Sequence, residues 1–102
     1  MSQQLWIKMA NLVFELEKKT QKEPAPGLQR TLLRMQQVLE EAGLLILNPQ
    51  GEAFSDTRTD VEATLVGAVH DRLTITEVLK PIVYIHEEGK KRLVQRGVVL
   101  AG

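Results

Sequence analysis

The chain has no cysteine and only two histidines, one tryptophan, one tyrosine and two phenylalanines in 102 residues. Without cysteine, disulfides, thiolate nucleophiles and cysteine-bound metals are excluded. Thirteen basic residues balance thirteen acidic ones, so no long-range field attracts nucleic acid or an anionic membrane. No signal peptide is apparent, and no apolar run approaches the roughly 18 residues of a membrane-spanning helix. We therefore expect a soluble cytoplasmic protein with neither nucleic acid nor membrane as a partner.

The residues that usually carry catalysis do not form a recognisable constellation. His70 and His86 lack metal-ligand spacing, and the acidic residues beside them point to opposite faces of a strand. Neither Ser2 nor Ser55 lies in a nucleophile-elbow motif, and the glycines form no phosphate-binding loop. We predict that the protein is not an enzyme and has no cofactor or metal site.

Two amphipathic helices are predicted before Gly43, at about Gln3 to Lys22 and Leu28 to Ala42. Apolar residues recur in both at spacings of four, three and four, which is typical of a helix with one apolar face. These residues are Leu5, Met9, Leu12 and Leu16 in the first helix, and Leu28, Leu32, Met35 and Leu39 in the second.

The segment between the helices, Glu23 to Gly27, contains Pro24 and Pro26. Proline cannot continue a helix, and so short a connection makes the two helices antiparallel neighbours. Gly43 is placed to be the left-handed C-cap of the second helix. Two such hairpins bury their apolar faces in a four-helix bundle, so we predict a homodimer with the eight repeated residues at its interface. The alternative is that the hairpin packs on the rest of its own chain.

From Leu44 onward the sequence predicts a small, mostly antiparallel β-domain. The apolar run from Leu44 ends at a turn, Asn48 to Gly51, and residues 53–59 are predicted to be a loop. Pro81 marks an edge or a bend. Segments rich in β-branched residues predict the further strands: Val61–Val69, Leu73–Leu79, Ile82–His86 and Leu93–Leu100, the last two joined by a charged hairpin tip, Glu87–Lys91. The predicted class is α+β, with a helical domain at 1–43 and a β-domain at 44–102.

Five segments, in this order, resemble the GrpE family, the nucleotide exchange factors of DnaK-type heat-shock chaperones. Each motif alone is weak, and the order of all five carries the resemblance. The segments are similar to the family's last helix, its proline-x-glycine-glutamate-x-phenylalanine turn, part of its histidine-glutamate-alanine-valine motif, and two strands of its β-head: Leu28–Gly43, Asn48–Phe54, Glu62-Ala63, Thr76–Leu79 and Arg92–Val99.

The resemblance implies a homodimeric co-chaperone that acts in protein folding and the stress response. In the family, a β-head inserts against the ATPase domain of the chaperone, opens its nucleotide cleft and lets ADP leave. By matched position, Arg92 is the expected chaperone contact, because arginine suits forked pairing with carboxylates. Arg96, Lys90 and Lys91 are further candidates on the same hairpin and strand. Arg92 as an ordinary charge at a strand end is the alternative.

Departures from the family pattern leave two other functions open. No segment matches the family's long N-terminal stalk, Val61 stands where the family has histidine, and Gln95-Arg96-Gly97 replaces arginine-proline-alanine. These changes favour the alternative of a dimeric scaffold or interaction module that has lost exchange activity. A small β-barrel that binds nucleic acid is the third possibility, but only Tyr84 accompanies the basic cluster, and such surfaces use several stacked aromatics.

Overall fold

The computed structural model describes residues 3–23, 25–67 and 71–102. Within these residues two helices precede seven strands, so the predicted α+β class is confirmed. The helices are α1 (Gln3–Lys22) and α2 (Pro26–Glu41). The strands are β1 (Leu44–Leu47), β2 (Ala53–Phe54), β3 (Val61–Leu65), β4 (Leu73–Lys80), β5 (Ile82–Glu87), β6 (Lys90–Gln95) and β7 (Gly97–Ala101).

The two helices form a hairpin whose ends follow from local chemistry. α2 begins at Pro26, two residues before its predicted start, because proline at the first helical position loses no hydrogen bond and has a suitable φ. Gly43 has φ +91°, which confirms the predicted left-handed cap. A Cβ at Gly43 would also lie 3.0 Å from the His86 carbonyl oxygen. The Gly43 carbonyl accepts a hydrogen bond from the His86 N–H at 2.7 Å, which ties the end of the helical hairpin to β5.

The strands form two sheets, in the orders β1-β5-β6 and β2-β4-β7-β3. All pairings are antiparallel except that of β3 with β7. The segment predicted as one final strand divides into β6 and β7, and Arg96 lies between them. At Gly97 a Cβ would approach the Ile82 Cγ1 to 2.9 Å, so glycine permits the close passage from one sheet to the other. The predicted loop at 53–59 contains β2, because Phe54 pairs with Leu73.

Two apolar clusters hold the layers together, and β5 contributes to both. One face of β5 contributes Val83 to a cluster with the two helices and β1, and the other contributes Ile82 to a cluster with the four-stranded sheet. The three-stranded sheet therefore lies between the helical hairpin and the four-stranded sheet. A strand covered on both faces explains the continuous apolar run at its start. The first cluster contains Ala10, Val13, Leu32, Leu39, Leu44 and Val83, and the second contains Phe14, Val61, Ile75, Val78, Ile82 and Val99.

Strand β4 does not keep a simple alternation of buried and exposed residues. Its register with β7 shifts between Ile75 and Glu77, and again between Val78 and Lys80. Ile75 and Val78 are both buried, three residues apart, whereas Leu79 is 48 % exposed. Strict alternation from Ile75 would have turned Leu79 inward. The irregularities therefore bring an apolar side chain to the surface beside α1.

Candidate functional site

The predicted basic residues lie on the hairpin of β5 and β6. A two-residue turn joins these strands, with φ +50° at Glu88 and +77° at Gly89. Two positive φ values match the turn whose twist suits an antiparallel hairpin. Glu87 pairs with Lys90 directly before and after this turn. The hairpin predicted from the charged tip is thus present, but β6 begins at Lys90, three residues before the predicted strand.

Arg92 lies where this hairpin meets the start of α1. It pairs across the strands with Ile85, and its guanidinium is exposed. The Arg92 Nη2 donates a hydrogen bond to the Gln3 side-chain oxygen at 3.0 Å. This bond is an exposed contact between neutral and charged groups, so it restrains the side chain without burying it. Arg92 remains accessible to a partner.

Lys91 lies on the opposite face of β6 from Arg92, because neighbouring strand residues point to opposite sides. It pairs with His86, and its Nζ lies 6.0 Å from the centroid of the Tyr84 ring. Lys90 is exposed at the turn. The three residues therefore do not converge on one point, although all of them are exposed on one arm of the β-domain.

Arg96 has a different environment from the other three predicted contacts. Its Nη1 donates to Glu62 Oε1 at 3.0 Å, and its Nη2 donates to the Val61 carbonyl at 2.7 Å. These bonds join the segment between β6 and β7 to strand β3. Arg96 therefore stabilises the fold of its own chain. It lies about 13 Å along the chain from Arg92, at roughly 3.3 Å per residue.

The eight predicted dimer residues divide into three groups by exposure. Leu32 and Leu39 are buried in the chain's own core, and Leu16 and Met35 pack against its edge. The remaining four are exposed by 40–59 %: Leu5, Met9, Leu12 and Leu28. The inner side of the hairpin thus packs on its own β-domain, and its outer side does not.

An apolar groove runs between α1 and α2 on this outer side. Its volume is about 310 Å³, and Trp6, Met9 and Val38 are among the residues that line it. Val38 is 57 % exposed. Three of the predicted dimer residues belong to the lining: Met9, Met35 and Leu39. The periodicity of both helices predicted wide apolar faces, but not which part of each face packs on the β-domain.

A charged cluster that the sequence reasoning missed fixes the loop before β3. The Arg58 Nε and Nη2 donate to the two carboxylate oxygens of Asp60 at 3.0 and 2.9 Å. The Arg58 Nη1 donates to Glu52 Oε1 at 3.2 Å and to the Ala53 carbonyl at 3.1 Å. Hydrogen bonding by Arg58 holds the pKa of Asp60 below its ordinary value of 3.8. Arg58 and Asp60 are two residues apart in a loop, and this spacing does not indicate a forked pair in the sequence.

The described residues hold no group of three or more potential metal ligands. His86 is exposed on β5, and His70 lies outside the described residues. No helix in the described part of the chain is long and apolar enough to cross a membrane.

Comparisons with protein-family models, curated proteins and solved structures found no match to this chain. The functional inference therefore depends on the order of the sequence motifs and on the geometry described above.

Proposed function

We propose that this protein is a cytoplasmic GrpE-like co-chaperone. It forms a homodimer, binds the ATPase domain of a DnaK-type chaperone through its β-domain, and promotes release of ADP. The observation that carries this proposal is the attachment of the β-domain to the helical hairpin, which holds an exposed basic arm in a fixed orientation. The order of the motifs in the sequence supports the same assignment.

Contacts of three α1 residues, Asn11, Lys18 and Phe14, carry most of this attachment. Asn11 and Gln95 exchange two amide hydrogen bonds, of 2.9 and 2.8 Å. Lys18 Nζ donates to the Val78 carbonyl at 2.7 Å. Phe14 is buried in the cluster between the sheets, although it belongs to α1. Apolar burial and side-chain hydrogen bonds at both ends of the contact favour movement of helix and β-domain as one body.

A rigid β-domain suits an exchange factor, because exchange requires differential binding and no bond chemistry. A factor that binds the open nucleotide cleft more tightly than the closed one shifts the population toward the open state. A preference of about 100-fold shifts that equilibrium by roughly 2.7 kcal/mol. A mobile contact surface would have to become ordered on binding, and the entropy cost of that ordering would weaken its binding to the open cleft.

Within the basic arm, Arg92 is the strongest candidate for the chaperone contact. The only side-chain hydrogen bond of Arg92 among the described residues is the exposed one to Gln3, so binding an acidic partner requires little rearrangement. Arg96 is held by Glu62 and Val61, and we assign it to the stability of the β-domain. Lys90 and Lys91 contribute charge near the same turn.

The outer groove between α1 and α2 is the proposed dimer interface. Its apolar lining and the exposed Leu5 and Leu28 run along both helices. A second hairpin, related to the first by a two-fold axis, covers the groove and these exposed leucines in a four-helix bundle. This assignment keeps Met9, Met35 and the largely buried Leu39 of the predicted interface. It omits Leu32, which is buried in the chain's own core, and adds Trp6 and Val38.

The test is release of a fluorescent ADP analogue from a DnaK-type chaperone, with and without this protein. We expect faster release, and expect Arg92→Ala to reduce the acceleration by about tenfold or more, since loss of a charged contact is worth at least ~1.4 kcal/mol. Arg30→Ala is the matched control, because Arg30 is exposed on α2. A folded protein that does not accelerate release contradicts exchange and leaves the scaffold function. Equal effects of the two substitutions contradict the role of Arg92.

A further inference from the structure

A second groove lies on the other side of α1, between this helix and the end of β4. Two cavities of 390 and 230 Å³ form it, and Glu15 and Leu79 line both. Leu12 and Leu79 are 59 % and 48 % exposed in its walls. Two exposed leucines that line the same recess provide an anchor site for an apolar side chain of a partner.

The groove also concentrates positive charge on a chain whose net charge is zero. Its lining includes five lysines and one glutamate, Glu15. Lys18 is engaged with the Val78 carbonyl and with Glu77. The other four form no ion pair with any described residue. They are Lys8, Lys19, Lys22 and Lys80.

We propose that this groove binds an acidic segment of a partner protein. An aliphatic side chain of the segment occupies the recess between Leu12 and Leu79, and its carboxylates face the lysines. Lys8 and Lys22 are separated by about 21 Å along α1, at 1.5 Å per residue. The charged rim therefore matches a helical segment of about four turns, at roughly 5.4 Å per turn, with acidic residues on both sides of an apolar stripe.

Charge and shape favour a protein segment over other anions. Single-stranded nucleic acid binds through aromatic side chains that stack with the bases. The aromatic residue in this lining, Phe14, is buried. Membrane binding needs apolar side chains that project into the bilayer, whereas Leu12 and Leu79 line a recess.

This surface is separate from both surfaces of the proposed function. The basic arm lies on β5 and β6, and the proposed dimer groove is lined by Trp6, Met9 and Val13 on α1. Lys8 and Lys19 lie about a quarter-turn around the helix from Met9, at 100° per residue. The inference holds whether or not the protein exchanges nucleotide.

The test uses a fluorescein-labelled helical peptide of glutamate, leucine and alanine, with the leucines on one face. Anisotropy titration of the full chain measures its affinity, and amide chemical shifts locate the site. We expect shifts in residues 8–22 and 77–81. We expect Lys8→Glu with Lys80→Glu to weaken binding about tenfold or more, and Leu79→Ser to weaken it several-fold. Arg30→Glu with Arg72→Glu, the same charge change at exposed positions elsewhere, should leave affinity within about twofold.

Several results would overturn the proposal. Peptide shifts confined to residues 90–96 would assign acidic-segment binding to the basic arm. Equal binding of a peptide with serine in place of leucine would show general charge attraction without a groove. Tighter binding of single-stranded DNA or of phosphatidylserine vesicles, lost in the Lys8 and Lys80 double variant, would identify a different class of partner. Self-association that the same double variant abolishes would make a second copy the occupant. The shift map of the unaltered chain decides the location even if a variant fails to fold.

Discussion

Replacing Phe14 by alanine should destabilise this protein far more than replacing Leu12. The two residues are two positions apart on α1, yet Phe14 is 3 % exposed and Leu12 is 59 % exposed. Truncation of a buried phenylalanine to alanine costs about 3–5 kcal/mol, because apolar contacts are lost and a cavity remains. An exposed apolar residue changes stability by roughly 0.5 kcal/mol or less. A chain of this size has a total stability of about 5–15 kcal/mol, so Phe14→Ala removes a large part of it.

Urea denaturation followed by far-ultraviolet circular dichroism measures both changes. In thermal unfolding, a loss of about 3 kcal/mol corresponds to a decrease in Tm of roughly 12 °C or more. Both variants should be measured at two protein concentrations, because a dimer adds a concentration-dependent term. The destabilisation by Phe14→Ala arises inside one chain, so it should persist on dilution.

The result that would refute this reasoning is a free-energy change for Phe14→Ala below about 1 kcal/mol, or a larger change for Leu12→Ala on dilution. Either outcome would mean that α1 contacts the β-domain through the side that carries Leu12. The attachment that supports the proposed function would then be wrong, since Phe14 is its apolar part.

Two further predictions concern the outer groove and the acid stability of the β-domain. Met9→Glu should shift the protein from dimer to monomer in sedimentation experiments, because it introduces a charge into the apolar groove. Leu33→Glu should not, since Leu33 is equally apolar and 56 % exposed but lies outside that groove. Because the pKa of Asp60 is lowered in the fold from 3.8, its ionised form stabilises the protein above about pH 4, and this contribution is lost as pH falls through the lower value. Asp60→Asn should therefore be less stable than the unaltered protein at neutral pH, with a urea-midpoint difference that narrows in acid. Asp56→Asn, in the same loop, removes a carboxylate that Arg58 does not bond among the described residues, and should change the urea midpoint at neutral pH by less.

Local features of the sequence predicted several elements because their causes are local. The period of apolar residues predicted both helices, and the prolines of the sequence at positions 24 and 26 predicted the break between them. Gly43 adopts the predicted positive φ. The predicted turn after β1 is present, where the Gln50 N–H donates to the Asn48 side chain at 3.1 Å. Each of these features depends on residues within one or two turns of chain.

The side of α1 that is buried was not predictable in the same way. The regular spacing predicted an apolar face with Leu12, but the structure buries Ala10, Val13 and Phe14. Apolar residues occupy two sides of this helix, and the residues on each side are spaced as expected for one face of a helix. The choice between them depends on which side fits the β-domain, where Phe14 completes the core between the sheets.

The candidate site shows the same limit. The sequence predicted a charged hairpin with a strand that begins at Leu93. Lys91 and Arg92 lie on opposite faces of β6 because this strand begins earlier, at Lys90. The forked pair of Arg58 with Asp60 depends on the path of a loop. The bond partners of Arg96 lie on β3, far from it in the chain. The exposure of Leu79 depends on the register of β4 with β7, so neither property follows from nearby residues.

The sequence by itself determined a cysteine-free α+β chain, with two amphipathic helices, a glycine-capped junction and a β-rich second part, because periodicity and turn chemistry act over a few residues. Only the tertiary structure decided which helix side is buried, which basic residues remain available, and where lysines gather around Leu12 and Leu79. These properties depend on contacts between segments far apart in the chain, such as Asn11 with Gln95 and Lys18 with Val78, and on the irregular register of β4.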